Sequence, residues 1–356
     1  MASTAQFHDY PPFPEDVPTA ALPKISLAKL LANQVDESKA LFESCCSIGF
    51  FLLDLSGHEI GEALVQDVDS LLELAKQTMA LPEDEKMKYH AKPPVRLVGY
   101  KSLGFMKTET NQPDRCEFFM LSQDELTGLA PAPEYPPPIR SSLPALNSYL
   151  AHAEPIVELI CRILSTSLDL PPSTFLSKQS QTSKSGTLLR LIKYPAAASA
   201  ADRRTSLVPH TAMGTITLLA GVIGGLQILR PSSSRDEGSE EIWEYVKPEP
   251  NCLIVNMGDA MVQWTGGVLR SNVHRVTYPP GAQAGCDRYS VAYLIRASGD
   301  ANMRRLSGGR IPDEEADGLP VDDDMLAGEW ERKKSMALVS GKDCVRSTGG
   351  RPMKGE

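Results

Sequence analysis

The stretch Thr215-Ile-Thr-Leu-Leu219, followed by Gly224-Gly-Leu-Gln-Ile-Leu229, sets the pattern of the second half of the chain. Short apolar and β-branched runs alternate with Gly, Pro and Ser, which is how strands and their turns read. The same texture recurs at Leu188–Tyr194, Ile242–Val246, Cys252–Val255, Met261–Trp264, Asn272–Val276 and Tyr289–Ile295. Eight such runs predict a sandwich or jelly roll. Ser232–Glu241 reads as a solvated loop between two of them.

Upstream of Leu188 the period changes. Leu64, Val68, Leu71, Leu72 and Ala75 fall on one helical face within 60–80, and Leu81-Pro82 ends that helix. Residues 143–168 repeat the pattern, with Pro155 expected to kink the helix. Residues 28–47 read as a third helix, Gly49-Phe-Phe-Leu-Leu53 as a buried strand, Leu22–Leu27 as extended and residues 1–21 as a loose arm. The fold expected from this texture is α+β, mainly β, a sandwich or jelly roll with an N-terminal helical region. The regions run 1–127 (lead-in), 128–184 (proline-rich connector and long helix), 185–298 (jelly roll) and 299–356 (flap and polar tail).

Composition narrows the function. The 356 residues hold 36 Lys and Arg against 45 Asp and Glu, a net charge of −9. An acidic chain without a basic run is a poor match for nucleic acid. The longest mostly apolar stretch, Thr215 to Leu229, is too short to span a membrane, and Met1 to Tyr10 lacks the features of a signal peptide. Seven scattered cysteines without a CxxC pair predict reduced thiols and a cytoplasmic protein. The sequence carries no signal for oligomeric state.

Histidine is scarce, and only His210 and His274 fall in the β-rich half. His210-Thr-Ala-Met-Gly-Thr-Ile-Thr-Leu-Leu219, Gly224-Gly-Leu-Gln-Ile228, Val255-Asn-Met-Gly-Asp259, Thr265-Gly-Gly267, His274-Arg-Val276 and Arg288-Tyr-Ser290 follow one another in order. This series resembles the Fe(II)/2-oxoglutarate-dependent dioxygenases of the isopenicillin N synthase type. Ile48-Gly-Phe-Phe51, Leu81-Pro-Glu-Asp-Glu-Lys86 and Gly99-Tyr100 resemble that family's lead-in, so the likeness covers about residues 22–300.

The resemblance implies a distorted double-stranded β-helix (jelly-roll) core, and an oxidoreductase that uses Fe(II), 2-oxoglutarate and O2 on a small organic molecule, by hydroxylation, desaturation or ring rearrangement in a natural-product pathway. It implies His210 and His274 as metal ligands, with no catalytic group beyond the metal site. In that family two imidazoles and a carboxylate share one face of the iron. Arg288 would pair with the far carboxylate of 2-oxoglutarate, because a guanidinium fork matches a carboxylate. Ser290 and Tyr194 would help to hold it. Ile192 stands where the family usually has Asn.

The main departure is Ala212, which occupies the carboxylate ligand's position. Three readings follow: an oxygenase that has lost Asp, a halogenase with chloride in the vacated position, or a scaffold without turnover. A further alternative is a barrel kept as a binding module. The stretch Leu97–Lys107 is expected at the barrel mouth, with Tyr100, Phe105 and Met106 as pocket-lining candidates beside their plainer role in the core.

Overall fold

Alternation along the strands decides the layering. The computed structural model describes residues 6–92, 98–108, 110–180, 182–197, 199–230, 241–312 and 324–339. Its strands are β1 (Lys24–Ser26), β2 (Phe50–Asp54), β3 (Gly99–Lys101), β4 (Glu117–Ser122), β5 (Leu188–Tyr194), β6 (Leu207–His210), β7 (Ile216–Gly221), β8 (Leu226–Leu229), β9 (Trp243–Tyr245), β10 (Cys252–Met257), β11 (His274–Val276) and β12 (Arg288–Ile295). The helices used below are α1 (Val35–Ser47), α2 (Glu59–Met79), α3 (Leu143–Ser167), α4 (Asp259–Trp264) and α5 (Ala327–Val339).

One sheet has the order β1-β2-β10-β7-β12-β5-β4-β3, and a second has β6-β11-β8-β9. Leu189, Leu191, Val291 and Tyr293 point from the large sheet to the helices, where they meet Leu64, Leu71 and Leu72 of α2. Their neighbours Leu188, Ile192, Tyr194 and Ala292 point the other way, into an interior shared with Leu226, Ile228 and Val276 of the small sheet. The two sheets thus enclose the jelly-roll interior, and the helices cover the large sheet's outer face. Helix α3 packs on α2. It reaches the sheet where Tyr149 meets Tyr293 edge-on, with ring centroids 5.9 Å apart. The helix runs on through Pro155. Among the described residues no helix is long and apolar enough to cross a membrane.

Several expectations need correction. Met261–Trp264 is not a strand but the body of α4; a four-residue apolar run carries too little periodicity to separate the two. The helix expected over 28–47 breaks at Asn33, whose φ of 55° no α-helix continues through. Strands β3, β4 and β6 were not anticipated; β6 contains Pro209, which is tolerated because β6 is an edge strand. The arm is not loose where it is described. The Ala20 N–H donates to the Tyr245 carbonyl at 2.9 Å, and the Tyr245 N–H donates to the Pro18 carbonyl at 2.8 Å. Phe13 packs edge-on against the Tyr245 ring. The exposed edge of β9 is covered in this way. Of the loop expected at 232–241, residues 232–240 lie outside the described residues, as does the tail from 340. The lead-in and the jelly-roll region do not own separate sheets, because β1–β4 flank β5, β7, β10 and β12 in one.

Gly49 closes α1 with a φ of +72°, and a Cβ there would lie 2.3 Å from the Arg270 carbonyl oxygen. Gly49→Ala should lower the unfolding free energy by about 2 kcal/mol, from left-handed strain plus the clash. An unchanged urea midpoint would count against this account.

Candidate active site

His210 ends β6 and His274 opens β11, and the antiparallel register sets them directly opposite each other. Their ring centroids are 4.3 Å apart. Each Nδ1 lies 2.9 Å from a backbone carbonyl two residues upstream, that of Val208 for His210 and of Asn272 for His274. A carbonyl can only accept, so each Nδ1 carries the proton and each Nε2 keeps a free lone pair. Metal-binding imidazoles are oriented in this manner. Burial disfavours the charged form of both rings: it lowers the pKa of His210, and it brings His274 down to about 3, where the neighbouring His210 ring opposes a second charge.

Ala212 is buried beside this pair, and its carbonyl accepts from the Asp259 backbone N–H at 2.7 Å. It offers no ligand atom from its side chain. Asp259 does not replace the missing carboxylate, because its oxygens are already taken. Thr211 Oγ1 and Ser271 Oγ donate to it at 3.0 and 2.8 Å, and Lys334 Nζ pairs with it at 2.5 Å. Asp202 is engaged with Arg115 and Ser199. Among the described residues no group of three or more His, Cys, Asp or Glu side chains converges as a metal site. The donor set suits a borderline metal such as Fe(II) through two imidazoles, with the third protein position left to solvent or an anion.

A second cluster lies on β12 and β5. Arg288 is buried, and its guanidinium lies 4.8 Å from the centre of the Tyr194 ring, its register partner. Its Nε donates to the Ile223 carbonyl at 3.2 Å. Burial lowers its pKa, and no carboxylate stands among the groups that act on it. Ser290, two residues on and on the same face, has a buried Oγ with no hydrogen-bond partner. Ile192 faces Ser290 across the strand pair and adds no polar atom. A buried guanidinium without a counter-ion, next to an orphaned hydroxyl, is a cradle for one end of an acid such as 2-oxoglutarate.

The structure brings His210 and His274 together, and it sets Tyr194, Arg288 and Ser290 side by side on the interior wall. The loop-borne pocket candidates fall elsewhere. Tyr100 pairs in register with Phe119 and points to the helix side. Its hydroxyl donates to Glu117 at 2.6 Å, beside the buried Lys86–Glu117 pair. Phe105 is exposed and packs on His90. Met106 is tied to Asp114 through its backbone. Three residues of consequence escaped the sequence reading: Glu331 and Lys334 of α5, and Arg190 of β5. Glu331 pairs with Arg296 at 3.1 Å, and with the Lys334–Asp259 pair it fastens α5 against the loop that carries Ala212.

Comparison with known proteins gives the family and the fold. Residues 185–297 match the 2OG-Fe(II) oxygenase superfamily, and residues 22–139 match the non-haem dioxygenase in morphine synthesis N-terminal family. The 2-oxoglutarate-dependent dioxygenase gloE of Glarea lozoyensis is 30% identical over 292 residues, covering 82% of this chain and 84% of that protein. The 2-oxoglutarate-dependent dioxygenase frbH of a Dothideomycetidae species is 29% identical over 331 residues, covering 89% and 98%. Among solved structures, a full-length Neurospora crassa protein in complex with alpha-KG superposes with a TM-score of 0.73 at 21% identity, covering 91% of this chain and 98% of that one. The chain belongs to the 2OG-Fe(II) oxygenase superfamily and is a 2-oxoglutarate-dependent oxidoreductase acting on a small molecule.

Proposed function

We propose that His210 and His274 hold Fe(II) and that Arg288, Ser290 and Tyr194 hold the far carboxylate of 2-oxoglutarate. The chain then stands in the isopenicillin N synthase-like branch, with Ala212 where the carboxylate ligand belongs. The iron, once bound, supplies activation of O2. The protein's own groups do the rest: the two Nε2 atoms fix the metal, the Arg288 fork sets how deep the co-substrate lies, and the apolar interior around Ile192, Leu226 and Ile228 excludes water. The observation that carries this reading is Arg288 without a counter-ion and the orphaned Ser290 hydroxyl, in one interior with two imidazoles whose Nε2 atoms are free. The fungal relatives favour an organic substrate of a natural-product pathway, modified by hydroxylation, desaturation or ring rearrangement. The unpaired cysteines suit a reducing compartment such as the cytoplasm.

Ala212 favours one second reading, a halogenase in which chloride fills the vacated position. The primary test is co-substrate linkage. With Fe(II) under nitrogen, 2-oxoglutarate at about 100 times its dissociation constant should stabilise the fold by about 2.7 kcal/mol. Succinate should form once air is admitted. Absence of both effects would sink the proposal.

A further inference from the structure

Arg190 has no role in the site just described, yet its placement demands one. It lies on β5 on the same face as Ile192 and Tyr194, opposite Ala292 of β12 and Met120 of β4. It therefore points into the interior that holds Arg288 and Ser290. Its Nε is buried and has no hydrogen-bond partner. Its guanidinium lies 4.9 Å from the centre of the Phe118 ring, an apolar neighbour that offers no counter-charge. No described acid pairs with it; the nearby cation Arg296 is taken by Glu331. Burial, then Arg296, lower its pKa to about 10, which still leaves it charged at neutral pH. It also lies close enough to His210 to depress the imidazolium there.

A half-buried guanidinium with a buried, unbonded Nε and no counter-ion is costly unless something anionic arrives to complete it. The 2-oxoglutarate carboxylate held by Arg288 is not that anion. Arg288 and the partner of Arg190, Ala292, stand four residues apart on β12, about 13 Å along the strand. Arg296 and Ile295, at the far end of β12, pack against Gly214 of the metal loop. Arg190 thus lies off the co-substrate cradle, toward the end of β12 that packs on Gly214 and within electrostatic reach of His210. Ala292, its register partner across the strand pair, is a small residue that adds no polar atom beside the guanidinium. A single cationic fork ringed by Phe118, Leu188, Ile192 and Met120 suits one planar carboxylate on an apolar body.

The geometry points to Arg190 as the anchor for a carboxylate on the substrate, so that the enzyme takes an apolar carboxylic acid. This rests on the proposed oxygenase site. The test uses the full chain loaded with Fe(II) and saturating 2-oxoglutarate under nitrogen. Thermal shift is followed on titration with carboxylic acids from benzoate to dodecanoate and with their methyl esters. At least one acid should stabilise the wild-type protein saturably, and its ester should not. Arg190→Met should weaken that acid by roughly thirtyfold or more, and Arg190→Lys by less. Both variants should keep the 2-oxoglutarate affinity within about twofold, since Arg288 carries that contact.

Without ligand, Arg190→Met should melt at or above the wild-type temperature, because it removes an uncompensated charge. A lower melting temperature would assign Arg190 to packing on Phe118 and overturn the anchor. So would equal binding of acids and esters, no binding of any acid in the series, or a loss of 2-oxoglutarate affinity as large as that of an Arg288 variant. Acids held through Arg190 by a protein that ignores 2-oxoglutarate would sink the oxygenase site and leave the anchor standing.

Discussion

Arg288→Ala should weaken 2-oxoglutarate binding by about 3 kcal/mol or more, on the order of a hundredfold in dissociation constant. Two features make the effect large. Arg288 is buried, so its attraction for a carboxylate is poorly screened. Its partner in the complex would also be stranded, since only the neutral hydroxyls of Ser290 and Tyr194 remain to meet a desolvated carboxylate. Arg288→Lys should recover only part of the loss, because an ammonium cannot form the two parallel hydrogen bonds of the guanidinium fork. The unliganded fold should tolerate Arg288→Ala, which removes a buried charge bonded only to the Ile223 carbonyl and the Tyr194 hydroxyl, with no carboxylate to balance it. Anaerobic titration of Fe(II)-loaded protein measures the constants. An unchanged value for Arg288→Ala would overturn the role given to this side chain.

Ala212→Asp should raise Fe(II) affinity on the order of a hundredfold, the scale on which ligand-sphere changes act. The substitution completes a two-imidazole, one-carboxylate set and lowers the net charge of the loaded site from +2 to +1. Asp259 cannot serve this purpose, held as it is by Thr211, Ser271 and Lys334. The consequence for turnover separates the two readings of the wild-type site. If the wild-type protein is an oxygenase short of a ligand, oxygenated product rises with Ala212→Asp and chloride never enters it. If it is a halogenase, the wild-type product carries the halide supplied, and Ala212→Asp abolishes that incorporation. Product mass from both proteins, with and without chloride, distinguishes them. Halogen in the wild-type product would overturn the oxygenase reading.

The site's residue types were open to sequence reading, and its unmet needs were not. His210 and His274 could be paired because strand texture and motif order put both in the β-rich half, and β6 and β11 do lie side by side. Arg288 and Ser290 could be placed on one face by the period of two alone. The same alternation puts Arg190 with Ile192 and Tyr194, yet nothing in Leu188–Tyr194 says that no acid comes to meet it. That is a property of the neighbours β4 and β12, which are distant in sequence. Tyr100 was misplaced for a related reason. Its direction depends on the pairing of β3 with β4, and β4 had not been recognised as a strand. The link from α5 to the loop that carries Ala212 was equally hidden, because Lys334 lies 75 residues from Asp259.

The strand order carries a consequence for synthesis. The four central strands β10, β7, β12 and β5 are bordered on one side by β2 and on the other by β4, both made long before them. On the ribosome those early strands have only β1 and β3 beside them, and their other edges must wait for a partner more than 60 residues downstream in β5 and about 200 downstream in β10. Pairings of such long range form slowly and leave edges available to other chains in the meantime. The nascent lead-in is thus a client for chaperones until Ile295 has left the exit tunnel. A fragment beginning at residue 185 would inherit the opposite fault, with β5 and β10 as two raw borders in place of one finished sheet.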